Sequence, residues 1–139
     1  MIHKQFGNKY IIRAEKGEEL VTTLKIFCRE NKIKLGTVSG LGAADKITLG
    51  LFNTKTKKYF PKEFSGDHEL ASVLGNISQM DDEVYLHLHA IISDEKCQAF
   101  GGHLTSATIS GTFEGVIEVI DGEVKRKYNE DIGLNLFDF

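Results

Sequence analysis

The sequence is poor in most features that announce a specialised chain. It has only two cysteines, Cys28 and Cys97, far apart and without a Cys-x-x-Cys pattern. That fits reduced thiols better than a disulfide framework, and spacing alone leaves a single bridge open. No stretch approaches the ~18 consecutive apolar residues of a membrane span. The opening "MIHKQFGNKYIIRAEKG" lacks the apolar core of a signal peptide. The expectation is a soluble, cytoplasmic protein with no membrane partner. Basic charge is not in excess either: 17 Lys and Arg stand against 20 Asp and Glu, for a net charge of −3. A nucleic-acid-binding face usually needs a basic stripe. The two lysine-rich stretches, "NTKTKKYFPK" and "KRK" (Lys125 to Lys127), are short and followed by acidic residues. They read as solvated loop or hairpin surfaces.

Nucleophilic catalysis leaves no mark. There is no Gly-x-Ser-x-Gly elbow and no recognisable Cys–His signature. The glycine-rich "GTVSGLG" is not followed by a helix opening on Lys-Ser/Thr, so it is read as a strand ending in a tight turn rather than a phosphate cradle. Repeats, low-complexity segments and linkers are absent.

The 139 residues suffice for one domain, 1–139, able to bury a core without a disulfide or metal. "NKYIIRA" (8–14) reads as a strand. "GEELVTTLKIFCRENK" (17–32) reads as the one strong helix, with Leu20, Leu24, Phe27 and Cys28 on a common face. Cys28 is therefore expected in the core. Short β-rich runs follow at 34–44, 46–53, 57–62, 69–79 and 83–93, with a long final run at 105–121. The only proline, Pro61, is placed at the end of a short edge strand. One helix cannot supply the crossovers that parallel strands need, so the fold class is α+β with a largely antiparallel sheet. The apolar end "EDIGLNLFDF" (130–139) is expected to dock on its own core or on another subunit.

Three of the five histidines fall within "YLHLHAIISDEKCQAFGGHLTSA" (85–107). Residues two apart on a strand share a face, so His87 and His89 project together, opposite Leu86, Leu88 and Ala90. "SDEKCQ" is a good hairpin tip, and a hairpin closing there returns His103 to the same neighbourhood. Gly101 and Gly102 leave space beside it. Three imidazoles suit a first-row divalent metal, and zinc sites often combine three protein ligands with an open position. Hydrogen bonds across a half-buried sheet face would explain the same pattern without a metal. Glu69, Asp94 and Glu95 could each support the site or act as a base, and spacing selects none of them. His3 is read as exposed, and His68 begins a strand.

"LHLHA" followed by "GGHL" resembles the PPC domain (plants-and-prokaryotes conserved domain, also called DUF296) in its single-domain prokaryotic form. The resemblance runs from "IIRAEKGEELVTTLKIF", with Arg13, through "VSGLGAADKITLGLFN" and "ELASVLGNIS" to "GTFEGVIEVI". It implies a largely antiparallel fold assembled as a homotrimer, and a metal site, usually zinc, at His87, His89 and His103. Arg13 and Glu69 stand as candidates to line a pocket or support the histidines. Plant members join the domain to AT-hooks, but this chain has no Arg-Gly-Arg-Pro core. Its "GDHELA" (66–71) departs from the plant Gly-Arg-Phe-Glu-Ile-Leu segment at Asp67, His68 and Ala71. The functional expectation is a small trimeric protein binding a divalent metal, with hydrolase or lyase chemistry open to it. The alternative is a DNA-associated regulatory module.

Overall fold

The computed structural model describes residues 1–139 as eight strands and one helix. The chain opens with a hairpin, β1 (Ile2–Phe6) and β2 (Lys9–Glu15), turned through Gly7 in the left-handed region. Helix α1 (Leu20–Glu30) follows. Its cap is Glu19, whose carboxylate accepts from the backbone N–H groups of Val21 and Thr22 and also from that of Ala107 across the sheet at 3.0 Å. One side chain thus satisfies the helix start and ties it to its neighbour. Leu20, Leu24, Phe27 and Cys28 are the buried face, as the periodicity predicts. Burial pushes the Cys28 thiol up to about 12, so it is an inert core group.

The remaining strands are longer than the sequence pattern suggests. β3 (Gly36–Asn53) runs unbroken through the region expected to hold a tight turn. β4 (Lys58–Met80) fuses the two short runs expected at 57–62 and 69–79. Irregularities absorb the interruptions: the β3–β4 register shifts between Gly40 and Gly42 and between Ala44 and Lys46. Pro61 lies inside β4, opposite Gly50, where β4 has β3 as its one partner. A missing N–H is tolerated on such an edge.

β5 (Glu83–Ser93) has the bounds read from the sequence, and β6 (Ala99–Val119) starts and ends earlier than the run expected at 105–121. β5 pairs with both β4 and β6, while β3 also pairs with both, so β3, β4, β5 and β6 close on one another as an antiparallel ring. The buried face of this ring and the apolar face of α1 form one core of 23 residues, with Phe113, Ile77, Leu88 and Ile117 among its closed-off side chains. A second hairpin, β7 (Lys125–Asn129) and β8 (Leu134–Asp138), ends the chain. It meets β4 through a parallel bridge between Gln79 and Lys125. The apolar tail therefore becomes strand β8 rather than entering the core, and Phe139 is fully exposed. No helix is long and apolar enough to cross a membrane.

Candidate metal centre

Alternation along β5 separates two chemistries. Leu88, Ala90 and Ile92 are buried, while His87 and His89 project from the opposite face. The β5–β6 turn is fixed by Asp94, whose carboxylate accepts from the backbone N–H groups of Lys96 and Gln98, both at 2.9 Å. Cys97 takes a positive φ in this turn and is exposed. The turn sets a register that places His103 directly opposite His89. Ring centroids are 5.2 Å apart for His87–His89, 5.4 Å for His87–His103 and 5.6 Å for His89–His103. One nitrogen from each ring lies within 4.8 Å of the others.

Glycines let the strands approach here. A Cβ on Gly75 would overlap the backbone oxygen of His87, and one on Gly50 would overlap the ring of Tyr59. Tyr59 instead sits edge-on to His103, with centroids 6.2 Å apart, and shares a 2.7 Å hydrogen bond with Thr105. A Cβ on Gly102 would sit 2.9 Å from the oxygen of Gly50, while Gly101 has nothing nearer than 3.5 Å. Of the two glycines before His103, the second is therefore the one demanded by packing.

The rings themselves take no part in the hydrogen bonds that surround them. The explanation by mutual or backbone hydrogen bonding thus has no counterpart in the structure. Burial, together with the like charges of His103, Arg126 and His89, holds His87 below the usual imidazole range. Burial and His89 do the same for His103. Neutral imidazole is the form that ligates a metal.

Above the rings lies a cavity of about 1110 Å³, bounded by the β3–β4 tip and by the β7–β8 hairpin. Arg126 lines it and was not singled out by sequence reasoning. Its Nε donates to Ser78 Oγ, one terminal nitrogen to the carbonyl of Asn135 and the other to Asn76 Oδ1, each at 2.7 Å. The guanidinium lies over Tyr85 at 4.7 Å and Phe137 at 4.4 Å. Asn76 faces His87 across the β4–β5 pair, so Arg126 is one residue removed from the histidines. The sequence carries no mark of it: "KRKYN" opens with three cations in a row, and only the fold covers Arg126 while leaving Lys125 and Lys127 exposed.

Glu69 and Arg13 do not line this cavity. Glu69 is exposed on β4, and Arg13 is exposed on β2, where it pairs with Glu15 at 2.9 Å. His68 hydrogen-bonds the carbonyl of Gly66 and sits edge-on to Phe64. His3 is exposed but packs edge-on against Phe27 and Tyr10.

Residues 1–121 match the Plants and Prokaryotes Conserved (PCC) domain. No curated protein matches the chain. Among solved structures, a protein of Bacteroides thetaiotaomicron provisionally described as DNA-binding is 42% identical, with a TM-score of 0.97, covering 99% of this chain and 96% of its own. A plant- and prokaryote-conserved protein of Pyrococcus horikoshii is 30% identical, with a TM-score of 0.88 and coverage of 99% and 95%. A metal-containing protein of Archaeoglobus fulgidus is 26% identical, with a TM-score of 0.88 and coverage of 100% and 99%. The chain belongs to the Plants and Prokaryotes Conserved domain family.

Proposed function

We propose that this member of the Plants and Prokaryotes Conserved domain family is a metal-binding protein. His87, His89 and His103 hold one divalent cation, zinc first among the candidates, and the protein works as a homotrimer. The observation that carries the metal reading is the convergence of three imidazole nitrogens within 4.8 Å, on rings that no protein hydrogen bond engages. The donor set fits: three imidazole nitrogens suit a divalent first-row metal, and burial lowers the proton affinity of His87 and His103. The metal-containing relative from Archaeoglobus fulgidus lends support.

Held by these three side chains, a divalent cation would supply Lewis acidity to the cavity. The chain's own contribution is a concave wall, the Tyr59–Thr105 hydroxyl pair and the fixed guanidinium of Arg126. No carboxylate stands there as a general base.

Titrating zinc into chelator-treated protein by calorimetry tests the reading. One zinc per chain is expected, and none for the variant with all three histidines changed to Ala. Heat that is the same in both would refute it.

The trimer is supported by apolar side chains at the cavity mouth, including Leu51 at 67% and Phe60 at 53% exposure, which another subunit would cover. Light scattering that gives a monomer mass would refute it. The DNA-associated alternative is favoured by the provisional description of the relative from Bacteroides thetaiotaomicron. The acidic charge balance opposes it, because few released counterions leave little affinity for a duplex. A tight, salt-sensitive duplex complex would reverse that order.

A further inference from the structure

The cavity above the histidines has an unusual charge inventory. Its charged and titratable walls are Lys62, Arg126 and the three histidines, with two tyrosines, and no Asp or Glu lines it. Yet the chain carries 20 acidic residues. The neighbouring Lys125 finds partners among them, Asp82 at 3.3 Å and Glu123 at 3.7 Å, whereas Arg126 has no ion pair. Its three bonds all go to uncharged oxygens, those of Ser78, Asn76 and Asn135. A guanidinium has five N–H donors, so two are left over. A part-buried cation without a counter-ion is costly to maintain, and two flanking rings and three hydrogen bonds hold this one in place.

We propose that this cavity binds a small organic carboxylate with an apolar or aromatic body, and that the remaining donors of Arg126 fix its carboxylate. The guanidinium fork matches carboxylate geometry, and its immobilisation is already built into the fold. Phe52, Phe64, Phe100 and Leu136 supply the apolar wall for the ligand's body. The volume of about 1110 Å³ far exceeds what a metal and its waters require and matches the scale of small-molecule sites. The inference goes beyond the metal reading and does not depend on it. Three neutral imidazoles do nothing to offset a cation's charge, so a bound metal would add to the same demand for an anion.

The test is titration of benzoate, and of its neutral isostere benzamide, into the intact protein, both zinc-loaded and chelator-treated. Calorimetry reads affinity and NMR follows the imidazole signals of His87, His89 and His103. Benzoate is expected to bind roughly tenfold or more tightly than benzamide and to shift those signals saturably in both metal states. Arg126→Gln, checked for fold by circular dichroism, should abolish the preference, and Arg126→Lys should restore part of it. Equal binding of the two ligands, imidazole signals that do not move, or a folded Arg126→Gln that keeps the full preference would each overturn the proposal. Should Arg126→Gln fail to fold, the ligand preference and the signal shifts of the unaltered protein decide. Zinc binding without benzoate preference refutes this inference alone, and benzoate preference without zinc binding refutes the metal reading alone.

Discussion

The two faces of strand β5 share a backbone and little else. On one side, Leu88, Ala90 and Ile92 are 1%, 3% and 0% exposed and belong to the 23-residue core. On the other, His87, His89 and Ile91 open towards solvent or the cavity, and Ile91 is 49% exposed. The first face holds the fold together by burial. The second contributes little to burial and carries the titratable groups. The lesson is separability: the site can be dismantled without dismantling the ring of strands, but not the reverse.

The largest expected effect comes from crossing that boundary. Leu88→Ala should cost about 2–5 kcal/mol in urea denaturation, because a fully enclosed side chain leaves a cavity. His89→Ala, one position along, should lose the metal while leaving the metal-free denaturation midpoint nearly unchanged. Equal destabilisation by the two would show that the faces are not independent.

A sharper probe lies where the faces meet. Gly75→Ala forces a methyl onto the backbone oxygen of His87 and should cost about 1–3 kcal/mol while weakening metal binding. Gly101→Ala meets only ordinary contacts at 3.5 and 3.6 Å and should be tolerated in both respects. Calorimetric zinc affinity and thermal melting on the pair check this.

Protonation should perturb the site face more gently. Both His87 and His103 are held below the imidazole value of about 6.5 in the folded chain. As pH falls through that value the unfolded chain takes up protons first, so metal-free stability should decline below about pH 6.5 and level off once the folded-state values are passed. Zinc affinity should be steady from about pH 8 to 7 and fall in the same acid range. Melting temperature and zinc affinity against pH provide the check, and stability rising on acidification would contradict the assignment. The smallest effect is expected at Arg13→Ala and Glu69→Gln, which do not line the cavity and should leave zinc content unchanged by metal analysis.

Much of this division is legible in the sequence because alternation is a local signal. "YLHLHAII" states which side chains go inward, and the polar tip before "GGHL" places the third histidine. What is not legible depends on distant partners. β3 reads as ending in a turn because of the glycines of "GTVSGLG", yet shifted pairing with β4 carries the strand through. β1 is not read as a strand because its residues are all exposed and its one strand partner is β2. Arg126 is hidden between two exposed lysines, and its role follows from Ser78, Asn76 and Asn135, which the fold alone brings together.

The central claim is that the exposed face of β5 and the start of β6 make one metal centre. Its most direct test is the metal content of purified protein beside His87→Ala, His89→Ala and His103→Ala, each with its circular dichroism spectrum. The account predicts about one divalent ion per chain in the unaltered protein and little in any variant, with native β structure throughout. Full metal content retained by all three variants would contradict it.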